Sequence, residues 1–544
     1  MYIIFDTETT GLPRNWNAPI TDTDNWPRAV QIAWQLHDDM GNLIEQKDYL
    51  IKPEGYDIPY DAERIHGIST ALAEDQGVDL QSVLEEFNIA LGKAKFVVGQ
   101  NVGFDVNILG CEFVRKGIDS EMATKPVLDT CTEATAKLCQ IPGGRGGKFK
   151  LPTLSELYKH LFGESFSEAH NATADVEATT RCFFELIRQE HYTKEQLEQD
   201  ERYIHSFKLA NTATIAGIGL KHLNLKEESD KLKAKEETDN SISNAEKEAA
   251  RKRLENIEFA HLHNHTQFSI LQSTMNVKSL VQKAAQHKMP AVALTDSGNM
   301  MAAFHFEKAV SDYNKALKEE KQKAEEEGIP FEKKELLPII GCEFNVCKDL
   351  TDKKNKDNGY QVVLLAKNQK GYHNIVKLSS IAFTEGFYYV PRIDKQAIEK
   401  YKEDVICLSG NLNGEVPNLL LNVGENQAEE ALVWWKSQFK DDFYIEIMRH
   451  GQEDEDRVNE ALIRLAKKND VKLVATNNTF YAEKEDSASH DVLLCVKDNE
   501  LVSTPKGRGR GFRFGLDNQE YYFKSSEEIK ELFLDIPEAI ESVQ

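Results

Sequence analysis

The chain has 544 residues, a mass of 61.7 kDa and a net charge of −24, so it is too long for one ordinary core and too acidic to grip nucleic acid mainly through basic side chains. No stretch approaches the ~20 apolar residues of a membrane span, and the eight cysteines contain no C-x-x-C pair. Because the first predicted strand begins at Tyr2, we expect no signal peptide. We expect a reduced, cytoplasmic protein of two or three domains with no membrane contact.

The first predicted strand, residues 2–8, ends in two carboxylates. Asp6 and Glu8 are two positions apart, so both side chains leave the same face of the strand. Two such charges repel unless a cation lies between them, and Mg²⁺ prefers carboxylates, waters and phosphate oxygens. An isolated D-x-E is more often a strand end with two solvated acids, so further evidence is needed.

Two more acidic motifs follow in the chain. Asp105 stands in the N-x-x-F-D string 101–105, which follows a buried-strand candidate at 96–99 and opens a helical pattern. His170 and Asp175 form an H-x-x-x-x-D string just ahead of an amphipathic helix. A single aspartate at a helix start is more often an N-cap than a ligand. The three motifs together, in this order, form a specific signature.

With these motifs, residues 1–190 resemble the DEDDh exonucleases, the family of the epsilon proofreading subunit of bacterial replicases. The resemblance implies an α/β, RNase H-like domain whose mixed sheet is flanked by helices. It implies removal of nucleoside monophosphates from a single-stranded or frayed 3′ end of DNA, with two divalent ions, Mg²⁺ or Mn²⁺. By the match, the metal ligands are Asp6, Glu8, Asp105 and Asp175, the general base is His170, and the substrate contacts are Thr7 and His66. For His66, a loop histidine bonded to backbone remains an equal alternative.

Residues 193–256 are dominated by charged side chains, as in 226–231 and 246–253. Such runs indicate a solvated helix or disorder. We therefore predict an exonuclease domain at 1–192, a charged linker at 193–256 and a second domain at 257–544.

The second half opens with two histidines on one face of a predicted strand, His263 and His265, a common start of a metal site. Strands alternate with helices after that point, which indicates a parallel α/β barrel or sheet. Further predicted strands lie at 291–296, 339–343, 361–365, 405–409, 443–446 and 472–476.

From about residue 257 the chain resembles the PHP domain at the start of bacterial DNA polymerase III alpha subunits. The strings AHLHNHTQFSIL at 260–271, MPAVALTDSGNM at 289–300 and IIGCEF at 339–344 carry the resemblance. It implies a distorted barrel of seven β/α units with a cluster of metal ligands. The retained family ligands are His263, His265, Asp296 and Glu343.

Six other ligand positions of metal-binding members hold different residues here. Amides and a hydroxyl supply no charge, thiolate or imidazole, and a phenyl ring supplies no ligand atom. We therefore expect this PHP domain to be catalytically inactive and to brace a polymerase body. The six substituted positions are Gln272, Ser297, Gln361, Asn411, Asn478 and Phe480.

The sequence lacks a P-D-x-D-x-D-F-like string of a polymerase palm, so we expect an N-terminal part of a longer replicase chain, with the polymerase core downstream. The partners would be DNA, the rest of the replicase and the sliding clamp. Three alternatives stay open. They are a non-catalytic assembly scaffold, an RNA-trimming DEDDh enzyme, and a PHP-type phosphatase acting on a small phosphate ester.

Overall fold

A computed structural model describes residues 1–142, 149–166, 171–219, 224–236, 243–507 and 512–543. The chain divides into two compact units, Met1–Asp239 and Asn240–Gln544. Across these described ranges, each helix is either too short or too polar to cross a membrane.

The first unit is built on a mixed five-stranded sheet with the order β3-β2-β1-β4-β5. The first three strands pair antiparallel, whereas β4 runs parallel to both β1 and β5. This arrangement confirms the RNase H-like prediction. The strands are β1 (Tyr2–Thr9), β2 (Ala29–His37), β3 (Leu43–Leu50), β4 (Phe96–Gly99) and β5 (Val127–Asp129).

Helices cover both faces of this sheet, so β1 is apolar on both sides. Ile3 and Phe5 join one core, and Tyr2 and Ile4 join another. The helices of the first unit are α1 (Tyr60–His66), α2 (Thr70–Gln76), α3 (Leu80–Lys93), α4 (Gly103–Lys116), α5 (Glu133–Cys139), α6 (Leu154–Phe162), α7 (Ala172–Arg188), α8 (Tyr203–Ala210) and α9 (Leu225–Glu236).

The charged stretch predicted as a linker contains three helices. Helix α8 packs against α7, and α9 packs against α2 within the first unit. The Ser229 hydroxyl accepts from the Ser69 N–H at 3.0 Å and donates to the Gly67 carbonyl at 2.7 Å, which fixes α9 on that unit. The third helix, α10 (Asn244–Leu254), contacts the end of the second unit, where Arg251 pairs with Glu531.

The second unit is a seven-stranded mixed sheet in the order β12-β11-β10-β8-β7-β6, with β9 paired to β7. Its strands are β6 (Ala291–Leu294), β7 (Leu337–Cys347), β8 (Tyr360–Ala366), β9 (Arg392–Asp394), β10 (Val405–Leu408), β11 (Phe443–Ile447) and β12 (Lys472–Ala475). Its remaining helices are α11 (Val277–Gln286), α12 (Ala303–Glu327), α13 (Gln369–Thr384), α14 (Lys395–Tyr401), α15 (Glu415–Asn422), α16 (Glu425–Phe439), α17 (Glu453–Lys468), α18 (Ser487–Asp498), α19 (Ser526–Leu532) and α20 (Pro537–Glu541).

The segment 261–265 closes this sheet into a barrel. On one side its carbonyls accept from the β6 end, with His261 O to Ala293 N at 2.9 Å. On the other side it exchanges backbone bonds with Thr479 just after β12, from His265 N–H at 2.9 Å and to His263 O at 3.1 Å. The predicted distorted PHP-type barrel is therefore confirmed. His263 and His265 of its first motif belong to the segment that closes it, and both are fully buried.

Candidate active site

Three carboxylates converge at the carboxyl end of β1. Asp6 and Glu8 come from the strand and Asp175 from the first turn of α7, and their oxygens all lie within 4.8 Å of one another. Pairing between β1 and the parallel strand β4 ends at Ile4, so the two acids lie just beyond the paired stretch. In open α/β sheets this edge is where ligands bind. Asn171, not Asp175, caps α7, by accepting from the Thr173 N–H.

The fourth predicted ligand, Asp105, is held by the same strand. It lies in the first turn of α4 and is 5% exposed. Its Oδ1 accepts from the Thr7 N–H at 3.0 Å and the Thr7 hydroxyl at 2.6 Å. The pairing between β1 and β4 ends before Thr7, so no β4 carbonyl accepts from the Thr7 N–H. The Asp105 carboxylate accepts this bond instead. Burial raises the pKa of Asp105 to about 7 despite these two bonds.

The carboxylates disfavour each other's charged forms. Burial raises the pKa of Asp6 well above its ordinary value, and Asp105, Asp175 and Glu8 raise it further. The pKa of Glu8 is likewise raised well above its ordinary value, first by burial and then by Asp175 and Asp105. A divalent cation relieves this repulsion, and the all-oxygen donor set suits a hard ion such as Mg²⁺ or Mn²⁺. The residues present therefore fit a divalent metal centre.

Two buried polar side chains that no sequence motif contains hold the helices that carry the predicted ligands. The Gln31 carboxamide of β2 accepts from the Ala172 N–H at 3.1 Å, at the start of α7. Glu112 of α4 is fully buried and accepts from the Arg28 guanidinium at 2.9 Å and the Ala29 N–H at 3.0 Å. The only sequence signal for them is a polar residue inside an otherwise apolar pattern.

Two of the other three predicted residues of this site, Thr7 and His66, lie within the described part of the chain. The hydroxyl of Thr7 contacts Asp105, and its predicted substrate role stays a prediction. His66 is 5% exposed, and its Nδ1 accepts from the Ile68 N–H at 3.0 Å. This bond is the backbone alternative foreseen for a loop histidine, and it leaves the predicted substrate contact a prediction. His170 lies outside the described residues.

The second unit holds a buried centre of different character. His263 donates through Nδ1 to Glu446 at 3.0 Å and through Nε2 to Glu343 at 3.2 Å. Burial alone lowers the pKa of His263, but the two carboxylates outweigh it and raise the value to about 10. Burial alone raises the pKa of Glu343, and the imidazoles of His265 and His263 more than offset that and lower it. Two carboxylates facing one imidazole thus favour the protonated form of His263.

The neighbouring groups of this centre are also engaged. His265 contacts Ser269 through Nδ1 and Asn478 through Nε2, both at 3.0 Å, and its ring stacks on Phe480 with centroids 4.4 Å apart. Asp296 accepts from the Thr266 N–H at 2.6 Å and from two hydroxyls at 2.7 Å. One ligand atom from each of His263, His265 and Glu343 lies within 4.8 Å of the others, which is close enough for a cation to bind them. Both imidazole nitrogens of His263 are, however, hydrogen-bonded to carboxylates.

Two of the positions where family ligands are substituted contact Glu343 of this network, and two others make different contacts. Ser297 donates to Glu343 at 2.8 Å, and the Gln361 amide donates to it at 3.2 Å. Asn411 accepts from the Asn413 N–H at 2.8 Å in a local turn. The Gln272 backbone carbonyl accepts from His490 at 2.7 Å. The Ser297 and Gln361 side chains thus donate to Glu343 without adding a charged ligand.

Comparisons with known protein families agree with both units. The exonuclease family model matches residues 3–183, and the PHP domain model matches residues 261–450. The chain carries an exonuclease domain followed by a PHP domain. With the carboxylate cluster, the exonuclease domain implies a metal-dependent nuclease that needs divalent ions.

Among curated relatives, DNA polymerase III subunit alpha of Borreliella burgdorferi is 37% identical over 288 residues, which are 52% of this chain and 23% of that protein. The Campylobacter jejuni subunit is 38% identical over 299 residues, 53% of this chain and 23% of that protein. The match thus spans about a quarter of the length of these relatives.

Solved structures give weaker similarities. E. coli Exonuclease I in complex with a dA16 oligonucleotide is 21% identical, with a TM-score of 0.28, over 36% of this chain and 44% of that one. A putative metal-dependent phosphoesterase from Bifidobacterium adolescentis is 12% identical, with a TM-score of 0.26, over 41% of this chain and 87% of that one. The fold therefore rests on the strand order and the family models.

Proposed function

We propose that the exonuclease domain is a 3′-to-5′ exodeoxyribonuclease that proofreads for a bacterial replicative polymerase and releases nucleoside monophosphates. The observation that carries this proposal is the convergence of Asp6, Glu8 and Asp175 within 4.8 Å at the carboxyl end of the first strand. The relatives are polymerase III alpha subunits, which supports a substrate of DNA and partners within a replicase. The sliding clamp stays a prediction from the family resemblance.

The residues would divide the work as follows. Asp6, Glu8, Asp105 and Asp175 would hold two ions, Mg²⁺ or Mn²⁺, which when bound stabilise the charge of an in-line phosphoryl displacement. Thr7 fixes the orientation of Asp105 through its N–H and hydroxyl. His170 stays the predicted general base, because an imidazole with a pKa near ~6.5 accepts a proton from water at neutral pH.

The PHP domain is, in this proposal, a structural unit without phosphoesterase activity. A metal-binding imidazole must be neutral, whereas the Glu343 and Glu446 carboxylates on either side of His263 raise its pKa and favour its protonated form. The aromatic ring of Phe480 covers His265, the other retained histidine. The residues present therefore do not fit the metal cluster of active PHP domains.

The test is digestion of 5′-labelled single-stranded DNA by the full chain with Mg²⁺ or Mn²⁺. We compare the wild type with Asp6→Ala and with His263→Ala, and add an RNA strand of the same sequence. Stepwise shortening of DNA that is lost in Asp6→Ala and kept in His263→Ala supports both parts of the proposal. Activity that survives Asp6→Ala and is lost in His263→Ala reverses the two assignments. Faster digestion of RNA favours an RNA-trimming enzyme, and no digestion of either strand favours a scaffold.

A further inference from the structure

The loop that leaves the catalytic strand is pinned at its base. The Thr10 N–H donates to the Arg28 carbonyl at 2.9 Å, and the Arg28 N–H donates to the Thr10 hydroxyl at 3.0 Å. Gly11 follows at φ +145°, a backbone angle that side-chain-bearing residues rarely adopt. The chain therefore turns sharply away from the sheet, three residues after Glu8.

One buried amide side chain, that of Asn25, holds the middle of this loop through two hydrogen bonds. Asn25 is 8% exposed, accepts from the Asn15 N–H at 2.7 Å and donates to the Asn15 carbonyl at 3.0 Å. Trp26 is buried, and its indole N–H donates to the Pro19 carbonyl at 3.2 Å. These hydrogen bonds give the loop an ordered conformation, and they fix the backbone next to Trp16.

That residue is Trp16, which is 55% exposed although burying an indole is strongly favourable. Its ring lies against Phe104, with centroids 5.7 Å apart and planes at 47°. Phe104 immediately precedes the predicted metal ligand Asp105 on α4. Leu12 of the same loop is 73% exposed. The exposed ring of Trp16 therefore packs on the turn of α4 that also carries Asp105.

We propose that Trp16 is a positioning residue that stacks on a nucleobase near the 3′ end of the substrate strand. A flat, half-exposed ring backed by a second aromatic offers the π-face on which single-stranded bases stack, at about 1–3 kcal/mol per base. Such a contact adds affinity without basic side chains, which suits a chain of net charge −24. This inference rests on the proposed nuclease function and adds how the strand is held.

The test is a double-mutant cycle between the protein and the DNA. Initial rates on a normal strand, and on strands with an abasic nucleotide at the last or the penultimate position, are measured for wild type, Trp16→Ala and Trp16→Phe. Leu209→Ala, which alters a residue 65% exposed in the same unit, is the matched control. A thermal melt of each variant checks that the domain is folded.

We expect Trp16→Ala to lower kcat/KM on the normal strand about 5-fold to 150-fold, mainly through KM, because stacking holds the strand. An abasic nucleotide at the contacted position should abolish the difference between the two proteins, and Trp16→Phe should restore most of the loss. Wild-type rates in Trp16→Ala, or equal losses on normal and abasic strands, overturn the inference while leaving the nuclease intact. Absence of any Asp6-dependent shortening overturns the proposed function itself.

Discussion

Replacing His263 by glutamine tests whether the PHP centre has its own cation in place of a metal. The imidazole is fully buried and donates to Glu446 at 3.0 Å and Glu343 at 3.2 Å. Glutamine keeps a hydrogen-bond donor of similar reach but removes the charge. In His263→Gln the two carboxylates therefore lose their counter-ion inside the barrel.

The sign and size of the effect follow from the pKa of His263. The value is about 10 in the folded protein against an ordinary 6.5, which corresponds to about 5 kcal/mol at about 1.36 kcal/mol per pKa unit. Because the folded value is raised, this stabilisation is complete below pH 6.5 and is lost as the pH rises through 10. The wild type should thus lose up to about 1.4 kcal/mol of stability per pH unit in this window from this group alone.

The assay is unfolding of the full chain, wild type and His263→Gln, between pH 7 and pH 10. The difference in the free energy of unfolding should be several kcal/mol near pH 7, reduced from the full ~5 kcal/mol where the freed carboxylates take up protons, and should shrink toward pH 10. Parallel pH profiles for the two proteins would refute the reasoning. They would mean that His263 is neutral at pH 7, as a metal ligand must be.

Two further substitutions separate the two units. Glu112→Gln leaves Arg28 and Arg115 without the buried carboxylate that both contact, so we expect a loss of about 2–3 kcal/mol in chemical denaturation and reduced nuclease rates, because α4 also carries Asp105. Arg392→Met removes a fully buried guanidinium that donates to four backbone carbonyls, so we expect a loss of about 3 kcal/mol in the second unit with nuclease rates unchanged. An unaltered nuclease in Glu112→Gln, or a slower one in Arg392→Met, would contradict this assignment of the two residues.

The positions of the four predicted exonuclease ligands in the fold were predictable because each sits where local sequence defines an element. Asp6 and Glu8 end an apolar run that is strand β1, and Asp105 and Asp175 open amphipathic helices. What local patterns do not contain is the order of the strands. The contact between Asp105 and Thr7 depends on β4 ending before β1 does, and the bond from Gln31 to α7 joins residues 141 positions apart.

The barrel strands were equally visible, because strands buried on both faces read as short apolar runs. All six runs predicted after residue 290 are strands, whereas the three-residue β9 was not predicted. Closure of the barrel by 261–265 also escaped prediction. It consists of backbone bonds to Ala293 and Thr479, which carry no sequence signal. Glu446, the partner of His263, was seen only as the end of a strand.

The two centres differ in the groups that face their buried acids, and the proposed division of function rests on this difference. At the sheet edge, burial and the charges of Asp105, Asp175 and Glu8 raise the pKa of Asp6. A divalent ion bound there would offset this repulsion between carboxylates. In the barrel, the imidazole of His263 lies between Glu343 and Glu446, and its protonated form would offset the charges of both carboxylates. A metal binding there would have to displace a proton from an imidazole whose pKa the two carboxylates raise, whereas a metal binding at Asp6 relieves repulsion. The proposed division of function therefore predicts metal binding at the carboxylate cluster and none in the barrel.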